Sequence, residues 1–208
     1  MNIIFDLDGT ISDSSEGIFA NFREFFRIYN LPDLPDETLK KFIGPPTEET
    51  LSKFLEPEKV PEAVRLYRKI YKEKNILKNR MFDGIDSLMK YLKDKGHTLY
   101  VATTKEQKSS EIIIENFGLT KYLSGIYGAD IDKNIHTKTD VLNKLFNDTG
   151  ANKDDSILIG DTLYDVDGAE ETGIKVGVAL WGFCPKEKFK NRKIEFFAEK
   201  VEDLYKIF

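Results

Sequence analysis

Phe5-Asp6-Leu7-Asp8-Gly9-Thr10 follows directly on the apolar run Asn2-Ile3-Ile4 near the start of the 208-residue chain. The run 2–5 predicts a buried strand that ends at an acid. Residues two apart on an extended chain point the same way. Asp6 and Asp8 could therefore face one pocket at the carboxyl end of a sheet, where open α/β folds bind ligands. The same letters also spell an Asp-Gly turn with two solvated acids. The rest of the chain has to decide between these readings.

Working outward, short apolar runs alternate with helical patterns. The stretch 97–103 predicts a second strand, running into Thr103-Thr104-Lys105. A short third strand is expected at 125–128, a fourth at 156–159 just before Gly160-Asp161, and a fifth at 175–180. Between them, Ile85, Leu88, Met89 and Leu92 share a helical face that Gly96 terminates. Ile112, Ile113 and Phe117 do so before Gly118, and Val141, Leu142, Leu145 and Phe146 before Gly150. Short strands separated by helices imply an α/β class: a parallel sheet in a three-layer, Rossmann-like arrangement.

The stretch 14–80 breaks the rhythm. Ile18, Phe22, Phe25, Phe26 and Tyr29 fall at helical spacing, and Leu39, Phe42 and Ile43 suggest a short second helix. Gly44-Pro45-Pro46 must turn, since two prolines cannot sit inside a helix. Thr47 then reads as an N-cap, and Pro61 opens a long helix through Val64, Tyr67, Ile70 and Tyr71. No strand is expected there. The segment is too long for a loop and reads as a small all-helical domain (14–80) inserted into a catalytic core made of 1–13 and 81–208.

The fourth strand end shifts the balance between the two readings of Asp6 and Asp8. Ile159-Gly160-Asp161-Thr162-Leu163-Tyr164-Asp165 puts two more acids at the same sheet edge as Asp6 and Asp8. Four clustered carboxylates repel one another and need a cation. An all-oxygen, partly hydrated site is what Mg²⁺ prefers. Asp161 can also cap the helix that follows. Thr103, with its hydroxyl and neighbouring backbone N–H groups, could hold phosphate oxygens. Lys138, taken alone, reads as an ordinary surface charge.

The net charge of −5 gives no bulk attraction for nucleic acid or anionic lipid, so any phosphate is held locally. Cys184, the only cysteine, forms no internal disulfide and suits a reducing cytosol. The start has no basic and apolar leader pattern, and no apolar run approaches the ~20 residues of a membrane span. A cytoplasmic monomer or weak dimer is expected, with no nucleic-acid or membrane partner.

Asp6-Leu7-Asp8-Gly9-Thr10 resembles the first signature of the haloacid dehalogenase superfamily. Thr103, Lys138 and Gly160-Asp161 with Asp165 resemble the second, third and fourth, in order. Asp13-Ser14, Ile43-Gly44-Pro45-Pro46, Phe82-Asp83-Gly84 and Trp181-Gly182-Phe183 are similar to its phosphoglycolate phosphatase-like branch. Lys133, Asn134, Ile135 and Cys184 depart from that branch's habit.

The resemblance implies a central first strand, flanked by the second and fourth, and a mobile helical cap. It implies a Mg²⁺-dependent phosphatase acting on a small phosphorylated metabolite, phosphoglycolate-like or a nucleoside monophosphate. Asp6 would be the nucleophile, Asp8 the acid–base, and Lys138 the charge that offsets phosphate. Thr103 and Thr104 would hold phosphate oxygens, and Gly44 and Pro45, in the loop between cap and core, would bind the substrate. Mg²⁺ would sit on Asp6, the Asp8 carbonyl and Asp161, with Asp165 orienting the shell or Lys138.

Three rivals share parts of this pattern. A dehalogenase needs neither Mg²⁺ nor Asp8. A phosphosugar mutase shares every core residue and differs only in excluding water. A non-enzymatic receiver module, phosphorylated on Asp, leaves the large insert unexplained and usually carries its acceptor after a later strand.

Overall fold

The computed structural model describes residues 1–208, apart from the side chain of Ile131. Its strands are β1 (Asn2–Phe5), β2 (Ser12–Asp13), β3 (Arg80–Met81), β4 (Thr98–Glu106), β5 (Leu123–Ala129), β6 (Ser156–Gly160), β7 (Lys175–Ala179) and β8 (Phe196–Ala198). The helices that matter below are α1 (Ser15–Ile28), α2 (Asp36–Leu39), α3 (Thr47–Leu51), α4 (Val60–Ile70), α5 (Ile85–Asp94), α6 (Gln107–Asn116), α7 (Lys138–Thr149), α8 (Leu163–Thr172) and α9 (Leu204–Ile207).

Six strands form one parallel sheet in the order β5-β4-β1-β6-β7-β8. β1 is central, with Phe5 opposite Val101 on one side and Ile159 on the other. This matches the expected class and strand order. Alternation along each strand makes the two faces. Ile3, Phe5, Leu99, Val101, Ile157 and Ile159 join Leu88, Leu92, Ile113, Ile114 and Leu204 of α5, α6 and α9 in one buried cluster. Ile4, Tyr100, Ala102, Leu158, Val176 and Val178 meet Val141, Leu142, Leu145, Val166 and Ala169 of α7 and α8 in the other. Both faces being covered explains why the strands read as apolar runs rather than alternating ones.

Several local expectations are corrected. A sixth strand, β8, closes the β7 edge. It is three residues long and follows a polar stretch, so no periodicity reveals it. Arg80 lies not in a helical segment but in a two-residue antiparallel ribbon, pairing with Asp13 while Met81 pairs with Ser12. Thr47 is already helical; the cap position belongs to Pro46, which has no side-chain donor or acceptor to offer. The helix after β6 is capped by Thr162, not Asp161.

Between the two ribbon strands the chain is helical. Phe22, Phe25, Phe26, Phe42, Phe54 and Tyr67 pack as an aromatic nucleus, with Phe22–Tyr67 ring centroids 4.8 Å apart and Phe22–Phe42 5.1 Å. Buried Asn21 donates to the Tyr67 carbonyl at 3.0 Å and accepts from Asn75 Nδ2 at 3.1 Å, tying α1 to the end of α4. There α4 relaxes into a π-helical turn, Tyr71–Asn75. Among the described residues no helix is long and apolar enough to cross a membrane.

Candidate active site

The carboxyl ends of β1, β4 and β6 meet because β1 lies between the other two. The Asp6 N–H donates to the Ile159 carbonyl at 2.8 Å, carrying the ladder one residue past the strand. Asp6 thus reaches the sheet edge on a rigid backbone. The chain then doubles back, with the N–H groups of Ile11 and Ser12 both donating to the Leu7 carbonyl at 3.0 Å.

Asp6, Asp161 and Asp165 are all buried and each offers a carboxylate oxygen within 4.8 Å of the others. Lys138, far from being a surface charge, is only 4% exposed and enters this group from the first turn of α7. Its Nζ lies 2.7 Å from Asp6 Oδ1, 2.7 Å from Asp165 Oδ1 and 2.7 Å from the Ala102 carbonyl. Burial works against its ammonium, but Asp165 and Asp6 outweigh that and raise its pKa above the ordinary lysine value. Asp165 spends its other oxygen on the Thr162 N–H at 2.9 Å and hydroxyl at 2.8 Å, so it caps α8 and holds Lys138 at once.

Asp161 is held from the loop that follows β7, the next strand in the sheet. Its Oδ2 accepts the Phe183 N–H at 2.7 Å, while Trp181 Nε1 donates to the Thr10 carbonyl at 3.1 Å. The backbone must come this close. A Cβ on Gly182 would lie 2.3 Å from Asp161 Cβ, and one on Gly9, at φ +85°, would lie 2.2 Å from Asp161 Oδ2. Asp161 Oδ1 is buried with no hydrogen-bond partner among the described residues. Burial, then Asp165 and Asp6, push its pKa well above the carboxylate range. Burial likewise raises Asp6 to about 6, against the pull of Lys138.

The three carboxylates and one ammonium leave two negative charges uncompensated when all are ionised. That excess, the orphaned oxygen and the all-oxygen donor set fit a divalent cation.

Asp8 sits apart from that group. Its carboxylate takes two contacts from Lys105 Nζ, at 2.8 and 3.1 Å. Lys105 also lies over the Tyr71 ring, 4.6 Å from its centroid, bringing the helical segment to the sheet edge. Thr103 and Thr104 line the same cavity as Asp6, Asp8, Gly44 and Pro45. Thr103 Oγ1 accepts the Lys105 N–H at 3.2 Å, and Thr104 Oγ1 donates to the Gly44 carbonyl at 3.2 Å. Every expected site residue is thus at this edge, with Lys138, Asp161 and Asp165 behind Asp6.

Lys105, Tyr71 and Arg68, which also borders the cavity, were not expected. Lys105 follows the Thr pair directly, and Arg68 sits among the apolar positions of α4; those were the available signals. Lys133, Asn134 and Ile135 close a tight loop in which Asp130 and Ile135 exchange two backbone hydrogen bonds of 2.9 Å. Cys184 is half-buried, and burial raises its pKa, so it stays an ordinary thiol at neutral pH.

Comparison with known proteins fits this geometry. Residues 3–179 match the haloacid dehalogenase-like hydrolase family model. The chain is 34% identical over 211 residues to a 5'-nucleotidase of Pseudomonas aeruginosa, covering 99% of this chain and 94% of that one. It is also 34% identical over 181 residues to the tyrosine-protein kinase PtkA of Mycobacterium tuberculosis, covering 87% of this chain but only 62% of that relative's length. A solved haloacid dehalogenase-like hydrolase family protein from Streptococcus pneumoniae superposes with a TM-score of 0.91 at 33% identity, covering 100% of this chain and 98% of that one.

Proposed function

The chain belongs to the haloacid dehalogenase-like hydrolase family, and from that membership we propose that it is a Mg²⁺-dependent phosphatase of small phosphomonoesters. One observation carries the choice of chemistry: a second acid, Asp8, lines the cavity beside Asp6, while a separate group of Asp6, Asp161 and Asp165 is built for a cation. A dehalogenase has no use for either arrangement. The 5'-nucleotidase relative supports the same reaction class.

Asp6, the Asp8 carbonyl and Asp161 would hold Mg²⁺, with Asp165 orienting this set through Lys138. The ion, when bound, supplies positive charge against the transferring phosphoryl group. Asp6 attacks phosphorus; its oxygen–phosphorus bond forms as the ester bond to the leaving oxygen breaks. Lys138 offsets the repulsion between carboxylate and phosphate dianion. Asp8 gives its proton to the leaving oxygen, then takes one from water, which attacks phosphorus and frees Asp6. The Lys105 contact on Asp8 must loosen as the leaving group arrives, since both Asp8 oxygens are engaged. Thr103 and the Thr104 N–H hold phosphate oxygens. The helical segment, 14–80, acts as a cap over this edge, with Gly44 and Pro45 at its contact with the core.

Phosphate release from a panel of phosphorylated metabolites, with Mg²⁺ and with EDTA, tests this. Release that EDTA stops and Mg²⁺ restores is expected; full activity in EDTA would return the dehalogenase reading. A second reading, transfer to an acceptor other than water, draws on the mycobacterial relative's name. It requires that phosphate release be negligible until an acceptor is added.

A further inference from the structure

The helical segment's contribution to the cavity is mostly apolar: Ile18, Phe22, Phe42, Tyr67 and Tyr71. Thr47 adds a hydroxyl, and Arg68 is the segment's one charged residue there. Along α4 and the π-helical turn that follows it, Val64, Arg68, Tyr71 and Asn75 come at three- and four-residue steps. Val64, Tyr71 and Asn75 are buried. Arg65, three residues before it, and Lys69, the next residue, are exposed where a helix facing water needs charge. Arg68 is half-buried at the border of the two faces and lines the cavity.

Two cations line the cavity, Arg68 and Lys105. Lys105 is committed to both oxygens of Asp8. Arg68 makes no ion pair and no side-chain hydrogen bond among the described residues. Burial lowers its pKa, while Glu106, Glu48, Asp130 and Asp132 act on it from a distance and favour its charge. A guanidinium stays protonated in proteins regardless. The half-buried guanidinium thus has no protein acceptor among the described residues, and its donors are available to a ligand that enters the cavity.

The cavity is small, about 70 Å³. A water needs roughly 10–15 Å³ on this scale, so a phosphate group and a few further atoms fill it. A phosphate held at Asp6, Thr103 and Thr104 leaves space toward the helical wall for a short extension, and Arg68 is the polar group waiting there. A planar fork of N–H donors matches a carboxylate or phosphoryl group bidentately and a hydroxyl or ring poorly.

We propose that Arg68 is a specificity-determining residue that binds a second anionic group, and that the substrate is a compact phosphomonoester or phosphoanhydride carrying that group close to the scissile phosphate. This rests on the phosphatase reading and narrows its substrate class to metabolites whose leaving group carries a second negative charge. The anion exchanges the diffuse attraction of the four acids for direct hydrogen bonds to the guanidinium. Glu106, at the end of β4, borders the same cavity and disfavours an anion that misses the fork, which sharpens the selection.

The test uses matched probes with the Mg²⁺-loaded protein. Phosphoglycolate is set against hydroxyethyl phosphate for the carboxylate source. Pyrophosphate is set against 4-nitrophenyl phosphate, whose leaving group is of similar acidity, for the phosphoryl source. An aryl phosphate reports phosphatase chemistry alone. The wild type should favour the anionic member of at least one pair by about 10- to 100-fold in kcat/KM, the size expected of a charge-assisted pair. Arg68→Met should bring that ratio close to one, mainly through KM. Arg68→Lys, which keeps the charge and loses the fork, should give an intermediate ratio. A wild-type ratio near one in both pairs, or a ratio that survives Arg68→Met, overturns the proposal. The wild-type panel decides even if Arg68→Met fails to fold. Hydrolysis of the aryl phosphate without anion preference sinks this inference alone, whereas no hydrolysis of any probe sinks the phosphatase reading with it.

Discussion

The sheet edge and the helical segment that faces it are built on opposite principles. At the edge, Asp6, Lys138, Asp161 and Asp165 are buried charges whose every contact is directional: three 2.7 Å contacts on Lys138, two contacts from Thr162 on Asp165, one from Phe183 on Asp161. Across the cavity, the interior of the segment is held by an aromatic nucleus and the buried Asn21, with ion pairs such as Lys74–Glu24 at its surface. Directional contacts in a dry site fix atoms to within tenths of an ångström, and each unmade one is costly. Aromatic packing fixes a volume and tolerates rearrangement. The division fits a molecule whose chemistry is set on one side and whose choice of substrate is set on the other.

The sharpest way to break that division is Asp6→Asn. Under the proposed mechanism it removes the nucleophile, and phosphate release should fall by roughly 10⁴-fold or more. The fold should survive, because the variant removes a carboxylate that burial already disfavours. Activity within tenfold of wild type would take Asp6 out of the chemistry. Next in size is Asp8→Asn, expected to cost about 10²–10⁴-fold on alkyl phosphates. The loss on aryl phosphates should be smaller, since their leaving groups need less protonation. Equal losses would give Asp8 a structural role through Lys105 instead.

On the helical side, Phe22→Ala should lower stability by about 3–5 kcal/mol, read from chemical denaturation, because the ring is 1% exposed at the centre of the aromatic nucleus. If the remaining folded protein then keeps its aryl phosphatase rate but changes its order of preference among metabolites, the division is sharpened. Replacing Pro45 with Gly and Thr47 with Ala together should shift kcat/KM for the preferred metabolite by about tenfold, through contacts that form on closure. A proportional loss on the aryl phosphate would mean that this loop serves closure in general.

The smallest effect concerns the edge without metal. Asp6 and Asp161 both have folded-state pKa values above their unfolded ones. The protonated form of Asp6 is favoured in the fold, so the stability it contributes is present below about pH 4 and lost as pH rises through about 6, and Asp161 acts in the same direction. In EDTA the melting temperature should therefore fall between pH 5 and pH 7, and Mg²⁺ should flatten that fall. Parallel curves with and without Mg²⁺ would show that the three carboxylates bind no cation.

How much of this could be read beforehand follows the same division. β1, β4 and β6 were legible because strands covered on both faces are apolar runs, and each is followed closely by polar residues that the sheet interior would not accept. Lys138 could not be placed from its surroundings in sequence; its burial depends on three partners at positions 6, 102 and 165, and only the family resemblance assigned it. Thr47 misled because a threonine before a helical pattern is a good cap, yet here the two prolines set the backbone and the helix starts without a side-chain cap. β8 is too short for its period to show. Lys105 and Arg68 escaped because each belongs to an ordinary local pattern, and only the cavity distinguishes them from neighbouring surface cations.

Gly9 and Gly182 approach Asp161 from two sides, and neither has any functional group to contribute. In a saturation-mutagenesis map, both should score as intolerant as the acid they enclose, even to alanine, the smallest addition available. Such a map would show a rim of essential positions that have no chemistry, marking the outline of the site by what is missing from it. A search for activity that ranks positions by reactive side chains would pass over them, and a redesign of the loop that follows β1 would fail first at a hydrogen atom.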